Sequence, residues 1–256
     1  MRLNLWRRGQ GRPLVLLHGL FGSSNNWAPL AAALEPSFDV IAPDLRNHGR
    51  SPHDPDAGIA AMASDLVELF DALELRRVFL LGHSLGGRVA MRLALDHPGR
   101  VERLLVADMA PRAYGPLFPE VFEALAALDP ATLQSRAEAD ERLRLRLADG
   151  ALRAFLLSNL ARDPEGAFRW RMNLPALEAA RADFRAEIKA PAPYGGPALF
   201  LRGERSEYVR DADLAGIRAL FPAAELRTLQ DAGHWLHVDQ PLAFSSSVGQ
   251  FFPAAH

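Results

Sequence analysis

Ser84 lies in Gly82-His83-Ser84-Leu85-Gly86-Gly87, between the apolar run Arg77-Val78-Phe79-Leu80-Leu81 and the stretch Arg88-Val89-Ala90-Met91-Arg92-Leu93-Ala94-Leu95. The first run predicts a strand and the second a helix, so G-x-S-x-G falls on the turn between them. A hydroxyl on so tight a turn is aimed by the backbone. The glycines two residues before and after it leave room for neighbouring main chain. The turn also places the serine at the positive end of a helix dipole and predicts a strained, exposed nucleophile. Few folds accommodate such a nucleophile elbow.

Five more apolar, β-leaning runs surround it: Pro13 to Leu17, Phe38 to Ala42, Val101 to Ala107, Pro197 to Arg202 and Glu225 to Leu229. Several are apolar without alternation, as strands covered on both faces are. Helical spacing marks Trp27 to Leu34, Ile59 to Leu73 and Gly87 to His97. The order is therefore βαβα, which predicts an α/β fold: a mostly parallel sheet flanked by helices. Arg2 to Trp6 is expected to add an antiparallel edge strand.

The alternation stops after Asp108. From Pro111 to Pro193 no core strand is evident, but helices are expected near Pro119 to Leu128, Ala131 to Leu147, Ala151 to Ala161 and Leu177 to Ile188. We therefore expect a core of residues 1–110 and 194–256 with a helical cap, 111–193, inserted into it. Ligands of open α/β sheets bind at the carboxyl ends of the strands, so an insertion leaving that edge would roof the site. Phe168, Trp170, Met172 and Leu174 alternate with polar residues and predict a short extended segment within the cap.

Composition excludes several functions. With no cysteine among 256 residues there is no disulfide framework and no thiol nucleophile. A net charge of −2 without a long basic run argues against nucleic acid, and the alternating Arg and Leu of 142–146 read as a solvated helix face. No segment approaches the ~20 apolar residues that span a bilayer, and the N-terminus lacks a signal-like apolar core. The expectation is a soluble, cytoplasmic protein with a small-molecule substrate and no membrane partner. Neither H-E-x-x-H nor G-x-G-x-x-G with a downstream acid is present, so neither a metal nor a nicotinamide or flavin cofactor is expected. The oligomeric state is open.

Four motifs in order give the chain its resemblance to the α/β-hydrolase fold enzymes, over nearly its whole length. They are His18-Gly19-Leu20-Phe21-Gly22, Asp44-Leu45-Arg46-Asn47-His48-Gly49-Arg50-Ser51, the elbow at Ser84 and Ala232-Gly233-His234-Trp235. Asn47 stands where glycine is common, and Asn tolerates a left-handed backbone. The resemblance implies Ser84 as nucleophile and His234, past the last strand, as its base. His18, His48 and His83 are expected to hold loops near the site. His53, His97, His237 and His256 are read as surface or core residues.

The orienting acid is less direct. The family usually carries Asp in a G-x-x-D turn, and here that turn reads Gly203-Glu204-Arg205-Ser206. A known variation moves the carboxylate to the end of the strand after the nucleophile helix, which makes Asp108 the leading candidate, with Glu207 as the alternative. The oxyanion donors implied are the amides of Leu85 and Leu20. Phe21 and Trp170 are candidate substrate contacts, Trp170 as part of an acyl-binding wall whose competing reading is cap core.

What the resemblance implies is a serine carboxylic-ester hydrolase, similar to bacterial esterases and extending to acyl-CoA thioesters. A serine at the elbow argues against the dehalogenase and epoxide hydrolase chemistries that the family runs with Asp. Perhydrolase or haloperoxidase-like, C–C hydrolase and lyase members share a Ser-His-acid set and stay as alternatives. So does a non-catalytic small-molecule receptor on the same fold.

Overall fold

The computed structural model describes residues 1–253. Its principal sheet has seven strands: β1 (Leu5–Arg8), β2 (Arg12–Leu17), β3 (Phe38–Pro43), β4 (Val78–His83), β5 (Val101–Ala107), β8 (Ala198–Gly203) and β9 (Ala224–Leu229). A separate hairpin pairs β6 (Leu160–Arg162) with β7 (Phe168–Trp170). The large sheet runs β1-β3-β2-β4-β5-β8-β9 and is parallel except for β1, which pairs antiparallel with β3. This edge strand begins three residues later than expected.

The unbroken apolar runs are explained by two covered faces. Leu14 and Leu16 of β2 point into a core with Trp27, Leu30 and Phe244. Val15 and Leu17 point into the opposite core with Met62, Leu66 and Val89. Successive side chains alternate across a strand, so a strand sandwiched between helices must be apolar at every position. Helices α1 (Ala28–Leu34) and α11 (Pro241–Phe251) cover the first face, and α2 (Ile59–Ala72) and α3 (Leu85–Asp96) the second. Two shorter helices, α9 (Leu214–Leu220) and α10 (Leu236–Asp239), flank β9 in sequence.

Strand order positions the site. The chain passes from β2 outward to β3, then crosses back over β2 to β4, so the direction of winding reverses between β2 and β4. A crevice opens beyond the carboxyl ends of strands at such a reversal. The residues placed there are His18 and Gly19, after β2, and Ser84, after β4.

Between β5 and β8 lie α4 (Pro119–Ala126), α5 (Arg136–Arg144), α6 (Gly150–Leu157), α7 (Leu174–Ala179), α8 (Arg181–Arg185) and the β6–β7 hairpin. Three expected helices are shorter or divided, for local reasons. The segment from Ala131 becomes helical only at Arg136, because Ser135 accepts a hydrogen bond from the amide of Glu138 and caps the first turn. The helix begun at Gly150, with Asp149 as its cap, gives way to β6, which pairs with β7. The last expected helix starts early, capped by Asn173 and followed by Pro175, and splits into α7 and α8. In 142–146 the arginines are exposed, as expected of a solvated face, while Leu143 is buried.

Candidate active site

Ser84 adopts φ 53° and ψ −118°, a conformation that L-residues avoid and that persists only where the surroundings impose it. The close packing is visible at the two glycines. A Cβ on Gly82 would lie 2.2 Å from the carbonyl oxygen of Gly86, and one on Gly86 would lie 2.4 Å from that of Leu17. The serine amide donates to the Ala107 carbonyl at 3.1 Å, so β5 fixes the turn from the other side. Ser84 stands at the N-terminus of α3 but is only 7% exposed rather than open to solvent, because the insertion lies over it.

His234 and Asp108 meet. The imidazole Nδ1 lies 2.7 Å from Asp108 Oδ2, and its N–H donates to that carboxylate. Asp108 is fully buried, at a positive φ of 53° just past β5. The Gly203 amide donates to its Oδ1 at 3.3 Å, and the hydroxyl of Ser206 donates to its Oδ2. Ser206, which stands where an Asp was expected in the G-x-x-D turn, therefore holds the Asp108 carboxylate. Glu207 is exposed and pairs with Arg210 at 3.1 Å, away from the imidazole.

Two tyrosines that motif reading missed, Tyr208 directly and Tyr114 through it, brace His234. Tyr208 stacks on the His234 ring with centroids 3.9 Å apart and planes 20° from parallel. Its backbone carbonyl accepts from the Tyr114 hydroxyl at 2.8 Å, and that hydroxyl accepts from the Ala110 amide at 2.8 Å, which ties the acid's loop to the base's stacking partner. Burial pushes the phenols of Tyr208 and Tyr114 up to about 12, so both stay neutral.

The other histidines brace loops. His18 Nε2 accepts from the Leu45 amide at 3.0 Å, which leaves Nδ1–H to donate to the Gly19 carbonyl at 2.8 Å. It thereby joins the loops after β2 and β3. His48 Nδ1 bonds the Arg46 carbonyl at 3.0 Å, and His83 Nε2 donates to the His234 carbonyl at 2.8 Å. Burial lowers the pKa of all three, that of His48 to about 3. His237 packs half-buried against Trp27 and also lines the cavity, with desolvation pulling it down to about 4. His53 and His97 are at the surface. His256 lies outside the described residues.

The turn after β3 is built around two carboxylates. Asp44 accepts from the amides of Ser24 and Arg50, at 2.7 and 2.8 Å. Burial pushes its carboxyl up, but these two amides outweigh it and hold the group below its usual range. Arg46 forms a bidentate pair with buried Asp65, at 2.6 and 2.8 Å. Asn47 has φ 65°, the left-handed conformation expected where glycine is common.

Ser84 and His234 open onto one cavity of about 380 Å³. Its floor includes Gly19, Leu20, Phe21 and Trp27 from the core, and its roof Phe118, Val121, Leu152 and Phe155 from the insertion. Trp27 both packs in the core and lines the cavity. Trp170 is not among the lining residues; on β7 it packs, half-buried, against the core. Among the described residues, no acceptor takes a hydrogen bond from the amides of Leu20 and Leu85, which leaves both free to serve an anion beside Ser84. A second recess of about 10 Å³ adjoins Ser84 on the side of Leu85 and Met109. Leu20, Phe118 and Tyr208 border both spaces and form the neck between them. No cluster of His and carboxylates able to hold a metal occurs among the described residues, and no helix among them is long and apolar enough to cross a membrane.

Fold and motifs define an α/β hydrolase with serine at its elbow. Residues 12–241 match the family described by the alpha/beta hydrolase fold, and the chain belongs to that family. It is 40% identical over 247 residues to the sn-1-specific diacylglycerol lipase ABHD11 of Mus musculus, covering 93% of this chain and 80% of the mouse protein. It is also 35% identical to Esterase YbfF of Escherichia coli, covering 93% and 92% of the two chains. A solved structure described as a marine microorganism esterase superposes with a TM-score of 0.95 at 39% identity, over 98% of this chain and 99% of that one.

Proposed function

We propose that this ester hydrolase acts through a covalent acyl-enzyme formed on Ser84. The hydroxyl attacks the acyl carbonyl while His234 Nε2 takes its proton, and Asp108 steadies the imidazolium that forms. The amides of Leu85 and Leu20 stabilise the tetrahedral oxyanion, helped by the positive end of α3. His234 returns the proton to the leaving oxygen, then activates a water that releases the acid. Residues 111–193 act as a cap over the 1–110 and 194–256 core, and Phe21 forms part of the substrate wall.

The observation that carries this reading is the 2.7 Å bond between His234 and buried Asp108, with the same imidazole lining the cavity that contains strained Ser84. The names of the relatives, a diacylglycerol lipase and esterases, support a carboxylic acyl ester as substrate. Acyl-CoA thioesters are a chemically related extension, because the same attack on a carbonyl expels a better leaving group.

The test is a chromogenic acyl-ester series with one acyl-CoA, comparing wild type with Ser84→Ala. Turnover is expected in the wild type and is expected to fall at least a thousandfold in the variant. No turnover of any ester, together with tight saturable binding of one ligand, would replace the enzyme reading with that of a receptor.

A further inference from the structure

The turn after β3 and the β6–β7 hairpin face each other across a cavity of about 360 Å³ that shares no lining residue with the catalytic one. Arg50, Arg162, Arg169 and Arg171 line it, with Ser51 and His53. Among the described residues, none of the four guanidiniums pairs with a carboxylate. Arg162 lies over the Phe168 ring at 4.1 Å and donates to the Gly166 carbonyl. The side chains of Arg50, Arg169 and Arg171 are left as free donors. In a chain whose net charge is −2, four cations without a carboxylate partner around one groove are a local positive excess that attracts an anion.

The groove is also held open at a set width. His53 Nε2 donates to the Arg171 carbonyl at 2.9 Å. The Asn173 amide donates to the Asn47 carbonyl at 2.9 Å, and its side-chain amide to Asn47 Oδ1 at 3.0 Å. These bonds clamp the core turn to the hairpin, so the arginines rise from two walls of fixed backbone before any ligand arrives, and the ordering cost left for binding is that of their side chains.

We infer that this groove binds a phosphate group through Arg50, Arg162, Arg169 and Arg171. The planar guanidinium fork matches phosphate oxygens in pairs, and several forks on opposed walls suit a doubly charged, tetrahedral anion better than a lone carboxylate. Such a group is carried either by a soluble phosphate monoester or by the monoester head of a lipid such as phosphatidic acid.

The test uses the full chain and the Arg169→Gln/Arg171→Gln variant, with Arg50→Gln as a second variant on the opposite wall. Inorganic pyrophosphate is titrated by calorimetry, and phosphatidylcholine vesicles with and without phosphatidic acid are co-sedimented with the protein. We expect saturable binding that weakens at least tenfold in the variants and weakens with added salt, while their thermal melts stay within about 2 °C of wild type. Binding of pyrophosphate alone identifies a soluble ligand, and binding only to phosphatidic acid vesicles identifies a lipid head. No saturable binding of either probe, or binding that both variants retain in full, overturns the inference.

Discussion

The imidazole of His83 donates from Nε2 to the backbone carbonyl of His234 at 2.8 Å, joining the neighbour of Ser84 to a histidine 151 positions away. Burial keeps His83 neutral, so one nitrogen is a fixed donor. This bond sets the height of the His234 loop relative to the elbow. We predict that His83→Phe lowers kcat about tenfold to a hundredfold with little change in KM, through a misplaced base. His83→Gln, which keeps an N–H donor, should recover most of the loss. Equal kcat in His83→Phe and wild type would show that this bond does not position the base.

Asp108→Asn should lower kcat about 10⁴-fold by misorienting the imidazole, whereas Glu207→Gln should stay within about twofold of wild type. Ser206 donates to the same Oδ2 that His234 uses, so a carboxylate placed there would lie beside the ring. The double variant Asp108→Asn/Ser206→Asp should therefore recover at least tenfold over Asp108→Asn. Steady-state kinetics on one ester decides it, and a Glu207→Gln enzyme as impaired as Asp108→Asn would reverse the assignment.

Phe118 stands at φ 46° in the neck between the two spaces around Ser84. The larger space is lined by His234, the proposed proton donor to the leaving oxygen, while the 10 Å³ recess lies beside Leu85 and has room for about one water-sized group. The acyl substituent is then the smaller partner. Acetyl esters should outrun hexanoyl esters of the same alcohol by tenfold or more in kcat/KM, and Phe118→Ala should shrink that ratio at least tenfold. A ratio unchanged by the substitution would remove Phe118 as the size limit.

Buried His18, His48 and His83 and half-buried His237 have depressed pKa values, with His48 at about 3 and His237 at about 4 against an ordinary 6.5. The unfolded chain binds their protons near pH 6.5 and the native chain does not. Their full contribution to stability is therefore present above pH 6.5 and is lost as the pH falls toward the native values. For His48 and His237 the loss is roughly 1.4 kcal/mol per pH unit between 6.5 and their native values. Urea unfolding should give markedly lower stability at pH 5.5 than at 7.5, with a drop smaller by about 1 kcal/mol in His237→Phe. An identical drop in both proteins would mean that His237 is protonated in the native state.

Much of this architecture was legible in the sequence because it is written locally. A strand covered on both faces is apolar at nearly every position, so β2, β3, β4, β5 and β8 stand where the apolar runs stand, while β9, at the sheet edge, keeps exposed Glu225 and Thr228. The elbow declares itself because only glycine fits at 82 and 86, where the backbones of Gly86 and Leu17 come within reach of a Cβ. Asn47 reported its left-handed turn through its chemistry. The insertion was less legible: its helices are short, and their ends depend on caps such as Ser135 and Asn173 and on the pairing of β6 with β7.

By itself the sequence determined the order of strands and helices, the serine at the elbow and the histidine past the last strand. Tertiary structure decided what those residues touch. Asp108 meets His234 across 126 positions and Ser206 across 98, while Glu207, next to Ser206 in the chain, turns toward Arg210. Arg50 joins Arg162, Arg169 and Arg171 around one groove in the same way. Periodicity and turn chemistry act over a few residues, whereas these pairings are set by how the sheet stacks distant loops at one edge.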